Sequence, residues 1–102
     1  MSKSAINMMT NCVALELASK GVRVNSINPA LVDHTNIFER AGITGDDYDK
    51  LREHMKEANP LGRVGEPADI AQAIAFLASS NASFVTGEQF HVDGGSHAVC
   101  AR

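Results

Sequence analysis
Apolar residues recur at helical spacing from the very start of this 102-residue chain. Ile6, Met9, Val13 and Leu17 form one stripe, and Ala5, Met8, Cys12 and Leu15 widen it to a broad face. A helix with so wide an apolar face has to bury it against another element, and no strand precedes it. Ser2 could cap the first turn, but weakly, because the pattern it would cap is already running. The chain therefore reads as opening in mid-helix.

The helix is expected over residues 2–19 and stops at Lys20-Gly21, a cationic last turn followed by the residue best suited to a left-handed cap. Residues 22–28, with β-branched side chains at alternate positions and Pro29 closing them, read as a strand. From Pro29 to about Gly45 the chain is irregular or briefly helical. Residues 46–58 form a polar helix with Leu51 and Met55 inward. Pro60 to Pro67 is a compact turn, with Pro67 placed as the first residue of an apolar helix over 67–79. Ser79, Ser80, Asn81 and Ser83 end that helix, and residues 88–92 read as a second strand running into the turn Asp93-Gly94-Gly95.

Helix, strand, helices, strand is a piece of a βαβ alternation with a right-handed crossover. Two parallel strands leave edges unpaired and apolar faces uncovered, since parallel sheets occur with several strands and helices on both sides. The fold class expected is thus α/β but incomplete: a fragment, or a subunit that completes its sheet with another chain.

Composition narrows the function. With 44% hydrophobic and 21% charged residues and a net charge of −3, the chain is globular and lacks the clustered Lys and Arg that phosphate binding needs, so no nucleic-acid partner is expected. Lys50, Arg52 and Lys56 alternate with Asp49, Glu53 and Glu57, as on a solvated helix face. No apolar run approaches the roughly 20 residues that cross a bilayer, and no signal segment follows Met1, which makes a cytoplasmic setting the default and a membrane partner unexpected. Cys12 and Cys100 have no pairing logic and are expected as thiols. His34, His54, His91 and His97 show none of the close sequence pairings of a zinc site, so no metal site is expected and each is read as solvated or packed.

Four segments carry a resemblance: Ser2-Lys3-Ser4-Ala5 leading into Ala14-Leu15-Glu16-Leu17; Gly21 through Pro29; Gly62-Arg63-Val64-Gly65-Glu66-Pro67-Ala68-Asp69-Ile70-Ala71; and Phe84-Val85-Thr86-Gly87 with Val92-Asp93-Gly94-Gly95. In this order and spacing they resemble the C-terminal part of the classical short-chain dehydrogenase/reductase family, in the branch with 3-oxoacyl carrier-protein reductase-like enzymes. The resemblance spans nearly the whole chain and implies that residues 1–102 are the C-terminal part of one NAD(P)-binding, Rossmann-like, doubly wound parallel sheet, here two strands and three to four helices. It further implies NAD or NADP as cofactor, a small carbonyl or alcohol substrate, and a homo-oligomer.

In that family the active-site pair is Tyr-x-x-x-Lys, and Lys3 matches the lysine. The tyrosine would stand four residues earlier, before Met1, and is not in this sequence. A tyrosine and a lysine four apart share a helix face. Moving a phenol from its usual pKa of about 10 to near 7 takes roughly 4 kcal/mol, which one unit charge at about 4 Å supplies at an effective dielectric near 20. Alone, Lys3 has nothing to activate and keeps only the family role of hydrogen-bonding the nicotinamide ribose.

The same resemblance assigns cofactor contacts to Pro29, Ala30, Val32 and Thr35, in the family's Pro-Gly-x-Val loop at the carboxyl end of a strand. Ala30 replaces the usual glycine, reducing access to positive φ. The family's threonine five after the proline is His34 here, with Thr35 one later, so either the loop carries a one-residue insertion or His34 fills the slot; Thr35 is equally read as the N-cap of a short helix over 36–41. Tyr48 and Arg52 mimic the catalytic spacing, but Asp46, Asp47 and Asp49 beside that phenol would raise its pKa, and Tyr48 is read as a surface aromatic. Phe38, Ile43 and Met55 lie in the family's variable substrate-side segment and are read as core before pocket.

Three functions follow: the C-terminal portion of a nicotinamide-dependent oxidoreductase, inactive alone; a non-catalytic module pairing with full-length subunits through its first helix and last strand; and, with the family set aside, a small α/β binding domain.

Overall fold
The computed structural model describes residues 3–99, with side chains from Ser4 onward. The elements run α1 (Lys3–Leu17), β1 (Ser26–Pro29), α2 (Ile37–Arg40), α3 (Asp46–Ala58), α4 (Pro67–Ala78), β2 (Gln89–Val92) and α5 (Ser96–Val99). Short 3₁₀ turns follow α1 (Ala18–Lys20) and α4 (Ser80–Ala82). β1 and β2 pair as a two-stranded parallel sheet. This is the partial α/β fold expected, with one helical turn, α5, beyond the helices that the periodicity marks.

The chain divides into two compact units, residues 1–28 with 72–90, and residues 29–71 with 91–102. In the first, α1 ends as expected: Gly21 is left-handed at φ 72°, its N–H bonds Ala18 O, and Val22 N–H bonds Leu17 O, the paired bonds of a Schellman ending. Gln89 Nε2 donates to Asn7 O and Asn11 Oδ1, fixing β2 to α1. The strand is shorter than the sequence pattern suggests, because residues 22–25 spend their hydrogen bonds elsewhere. Val24 N–H donates to Thr86 Oγ1, Val24 O accepts from Gly87, and the Asn25 amide bridges Val85 O and Glu88 N–H. Arg23 turns its guanidinium onto Leu77 O and Ser79 O, carbonyls at the end of α4, and onto Val85 O further along.

The buried apolar residues of this unit are three alanines, Ala14, Ala73 and Ala82, and Leu77, while Met8, Leu15, Ile74 and Phe84 are exposed. Apolar surface of that extent matches the uncovered faces expected of two strands with few helices. Among the described residues no helix is long and apolar enough to cross a membrane.

In the second unit, Leu31 and Val64 are buried. A parallel bridge joins Val32 to Gly65 through Gly65 N–H to Leu31 O and Asp33 N–H to Gly65 O. A Cβ at Gly65 would lie 3.3 Å from Leu31 O, a tight contact in this bridge. Pro67 opens α4 as expected. Asp69 accepts from Glu66 N–H, half of a capping box, and takes a two-pronged pair of bonds from Arg63. With Arg63 first and the Glu66 amide second, those donors hold the Asp69 carboxyl at about 2. The turn motif from Gly62 to Asp69 is thus a clamp at the helix entrance.

Candidate functional site
The segment after β1 gathers the polar chemistry of the second unit. A cleft of about 440 Å³ lies between the loop 33–35 and the start of α3, lined by Asp33, His34, Thr35, Ile43 and Tyr48 among others. Asp33 is its anchor. The residue is 7% exposed; its Oδ1 accepts from Tyr48 OH at 2.6 Å and from His34 N–H at 3.1 Å, and its Oδ2 from Arg52 Nε at 2.9 Å. These donors, Tyr48 first and Arg52 next, outweigh burial and hold the carboxyl at about 2.

Tyr48 is therefore not the surface aromatic expected. It is half-buried, tilted against Phe38 with ring centroids 6.1 Å apart, and bound to Asp33. Its phenol is raised above 10, as expected, but the chief cause is the bond to Asp33, with burial next; Asp49 contributes least. The Tyr48/Arg52 spacing has a physical use after all: residues four apart on α3 share a face, and both reach the same carboxylate. Asp33 was the residue missed, and its only signal was a carboxylate directly after the strand-end loop.

The residues assigned by resemblance sit as follows. The side chain of Lys3 lies outside the described residues, as does Cys100; Lys3 is the first residue of α1. Pro29 is the exposed last residue of β1 and Ala30 is half-buried. His34, at φ 58°, is the one non-glycine residue with positive φ among those described, so Ala30 needs no glycine-like conformation and its methyl brings no backbone strain. Val32 is half-buried and Thr35 exposed. Thr35 Oγ1 donates to Val32 O at 3.3 Å, while the N-cap of α2 is Asn36, without a side-chain bond. Thr35 thus folds back on the Pro29–Val32 loop and does not cap the helix. Ile43 lines the cleft, as the variable segment allowed.

The histidines are less dispersed than their spacing suggests. His34 Nε2 lies 3.5 Å from Glu66 Oε2 and 3.8 Å from Asp33 Oδ2. His91 and His97 stack at 4.0 Å between centroids, on either side of Asp93 in sequence.

The sequence profile described as enoyl-(acyl carrier protein) reductase matches residues 1–97. The chain belongs to the short-chain dehydrogenase/reductase family. It is 39% identical over 94 residues to a 3-oxoacyl-(acyl-carrier-protein) reductase of Rickettsia prowazekii, covering 92% of this chain and 36% of that protein. To the cyclohexanol dehydrogenase of an Acinetobacter species it is 40% identical over 95 residues, covering 91% and 33%. A Caenorhabditis elegans short-chain dehydrogenase/reductase, solved with cofactor, superposes with a TM-score of 0.86 at 34% identity, over 97% of this chain and 38% of that one. A Francisella tularensis family member superposes at 0.76 with 33% identity, over 94% and 41%. The chain thus spans about a third of the length of the curated relatives it matches.

Proposed function
We propose that these 102 residues are the C-terminal portion of an NAD- or NADP-dependent oxidoreductase of the cytoplasm that acts on alcohol and carbonyl groups, and that by themselves they turn over no substrate. The observation that carries this reading is the family match over residues 1–97 in a chain one third the length of its relatives. Lys3 holds the second place of Tyr-x-x-x-Lys, and no tyrosine stands four residues before it in this sequence.

The loop after β1 fits a nicotinamide cofactor. It leaves the carboxyl end of a parallel strand, where open α/β sheets bind ligands. In the Val32–Gly65 bridge the ladder bonds are made by Leu31 O and Asp33 N–H, so the peptide groups of Val32 itself point away from Gly65. Pro29, Ala30 and Val32 would hold the carboxamide end of the cofactor, with Thr35 beside them and Lys3 on the ribose. When bound, the nicotinamide supplies or accepts the hydride. In the complete protein the tyrosine passes the proton to or from the substrate oxygen, and Lys3 lowers that phenol's pKa by its charge.

Reading the coding sequence upstream of Met1 tests this. An in-frame tyrosine four codons before Lys3 is expected; a non-coding region there would refute it. Consumption of NADH or NADPH by the 102-residue chain with any small carbonyl would refute the inactivity.

A second reading rests on the exposure of Met8, Met9 and Leu15 along α1: a non-catalytic module that pairs with full-length subunits of a homo-oligomer. Co-expression with a full-length relative then raises the yield of soluble chain, and unchanged yield counts against pairing.

A further inference from the structure
We propose that His91, Asp93 and His97 form a binding site for one divalent transition metal of the zinc type. His91 and Asp93 are two apart at the end of β2, so their side chains leave the same face. Gly94 and Gly95, at φ 63° and 91°, then reverse the chain, and α5 returns His97 over that face. The reversal is held in place: Leu61 N–H bonds Gly94 O, and Pro60 packs where a Cβ of Gly95 would lie, 3.2 Å away.

The donor atoms are already close. His97 Nδ1 is 3.0 Å from each oxygen of Asp93, and His91 Nδ1 is 3.7 Å from Oδ2. All three ligand atoms lie within 4.8 Å of one another. Metal–ligand bonds of 2.0–2.2 Å in a tetrahedral site give edges of about 3.3–3.6 Å, so the two rings, stacked at 10° to one another, must turn for both Nδ1 atoms to face one ion, and water takes the fourth position. Binding through Nδ1 leaves the ring proton on Nε2, and both rings are open to solvent, which can accept it. Asp93 supplies the negative charge, on a side chain only 8% exposed. Two imidazoles and one carboxylate select zinc, cobalt, nickel or copper over magnesium and calcium, which require oxygen ligands.

The other histidine–carboxylate group, Asp33, His34 and Glu66, is a poorer host. Arg52 already occupies Asp33 Oδ2 at 2.9 Å, and a fixed cation there repels a second one. Among the described residues no lysine or arginine pairs with Asp93.

Zinc titration of the 102-residue chain against a chromophoric chelator, in a C12S/C100S background so that thiols supply no ligand, tests the site. One zinc per chain is expected, with affinity falling at least ~10-fold in H91N and in H97N and unchanged in H54N, and with magnesium failing to compete. Proton spectra of the C12S/C100S chain with all four histidines kept provide a readout independent of the histidine substitutions: zinc should shift the ring signals of His91 and His97 and leave those of His34 and His54. Absence of binding, affinity in H91N and H97N equal to that of the parent chain, or shifts confined to His34 or His54 would overturn the proposal.

Discussion
Asp33 and Asp93 are the same device used in two ways. Each is a carboxylate whose side chain is no more than 10% exposed, at the end of a paired segment, and each accepts the backbone N–H of a turn that follows it. Asp33 takes its remaining bonds from Tyr48 and Arg52, one phenol and one permanent cation, both on α3. Asp93 takes its remaining bonds from His97, with His91 nearby. A carboxylate bound to arginine is locked, because that partner cannot lose its charge near neutral pH. One bound to imidazole stays exchangeable, since the ring nitrogen can turn from donor to ligand. The first therefore fastens the segment over the cleft, and the second leaves a place for a metal.

The comparison breaks most sharply at Gly95. Gly95→Ala forces a β-carbon into a left-handed position against Pro60, and a loss of about 2–3 kcal/mol in urea unfolding is expected. The Asp33 network should remain intact in that variant, read from an unchanged Tyr48 titration.

Asp33→Asn attacks the other side. It leaves Arg52 and Tyr48 without a charged acceptor and should cost about 2 kcal/mol at pH 7. The pH dependence follows from the lowered carboxyl. Folding favours the ionised form, so its stabilisation is present in full above the ordinary carboxylate range and is lost as pH falls through 3.8 toward about 2. Stability curves of the parent and Asp33→Asn should converge across that window, and a constant gap down to pH 2 would show that the charge of Asp33 contributes nothing.

Tyr48→Phe is the finer probe. It removes one of three bonds to Asp33 and should cost about 1 kcal/mol. In the parent, ultraviolet titration of this single tyrosine should give a midpoint above 10, and Asp33→Asn should bring it back down. A phenol titrating at its ordinary value in both proteins would detach Tyr48 from Asp33.

The sequence made the elements legible wherever a local rule acts alone. Gly21 stops α1, Pro67 starts α4, and Pro29 ends β1, each by its own backbone preference. Residues 22–25 failed that logic because their partners, Thr86 and Val85, lie some sixty positions away and no local pattern announces them. The site divides similarly. The loop 29–35 is readable through its resemblance to the family, whereas Asp33 with Tyr48 and Arg52, and His91 with Asp93 and His97, depend on turns whose direction is set by packing. Thr35 shows the limit well: the residue type suits a cap, but the left-handed His34 swings its hydroxyl back to Val32.

Replacing the matching third of a full-length relative by residues 1–102 and measuring hydride transfer tests the proposed function most directly. The chimera, with the relative's tyrosine restored four residues before Lys3, should oxidise NADH or NADPH with a small carbonyl substrate, and Lys3→Met should lower kcat by at least ~100-fold while cofactor still binds. A folded, cofactor-binding chimera whose turnover is the same with methionine at position 3 would contradict the role given to Lys3 and to the helix that carries it.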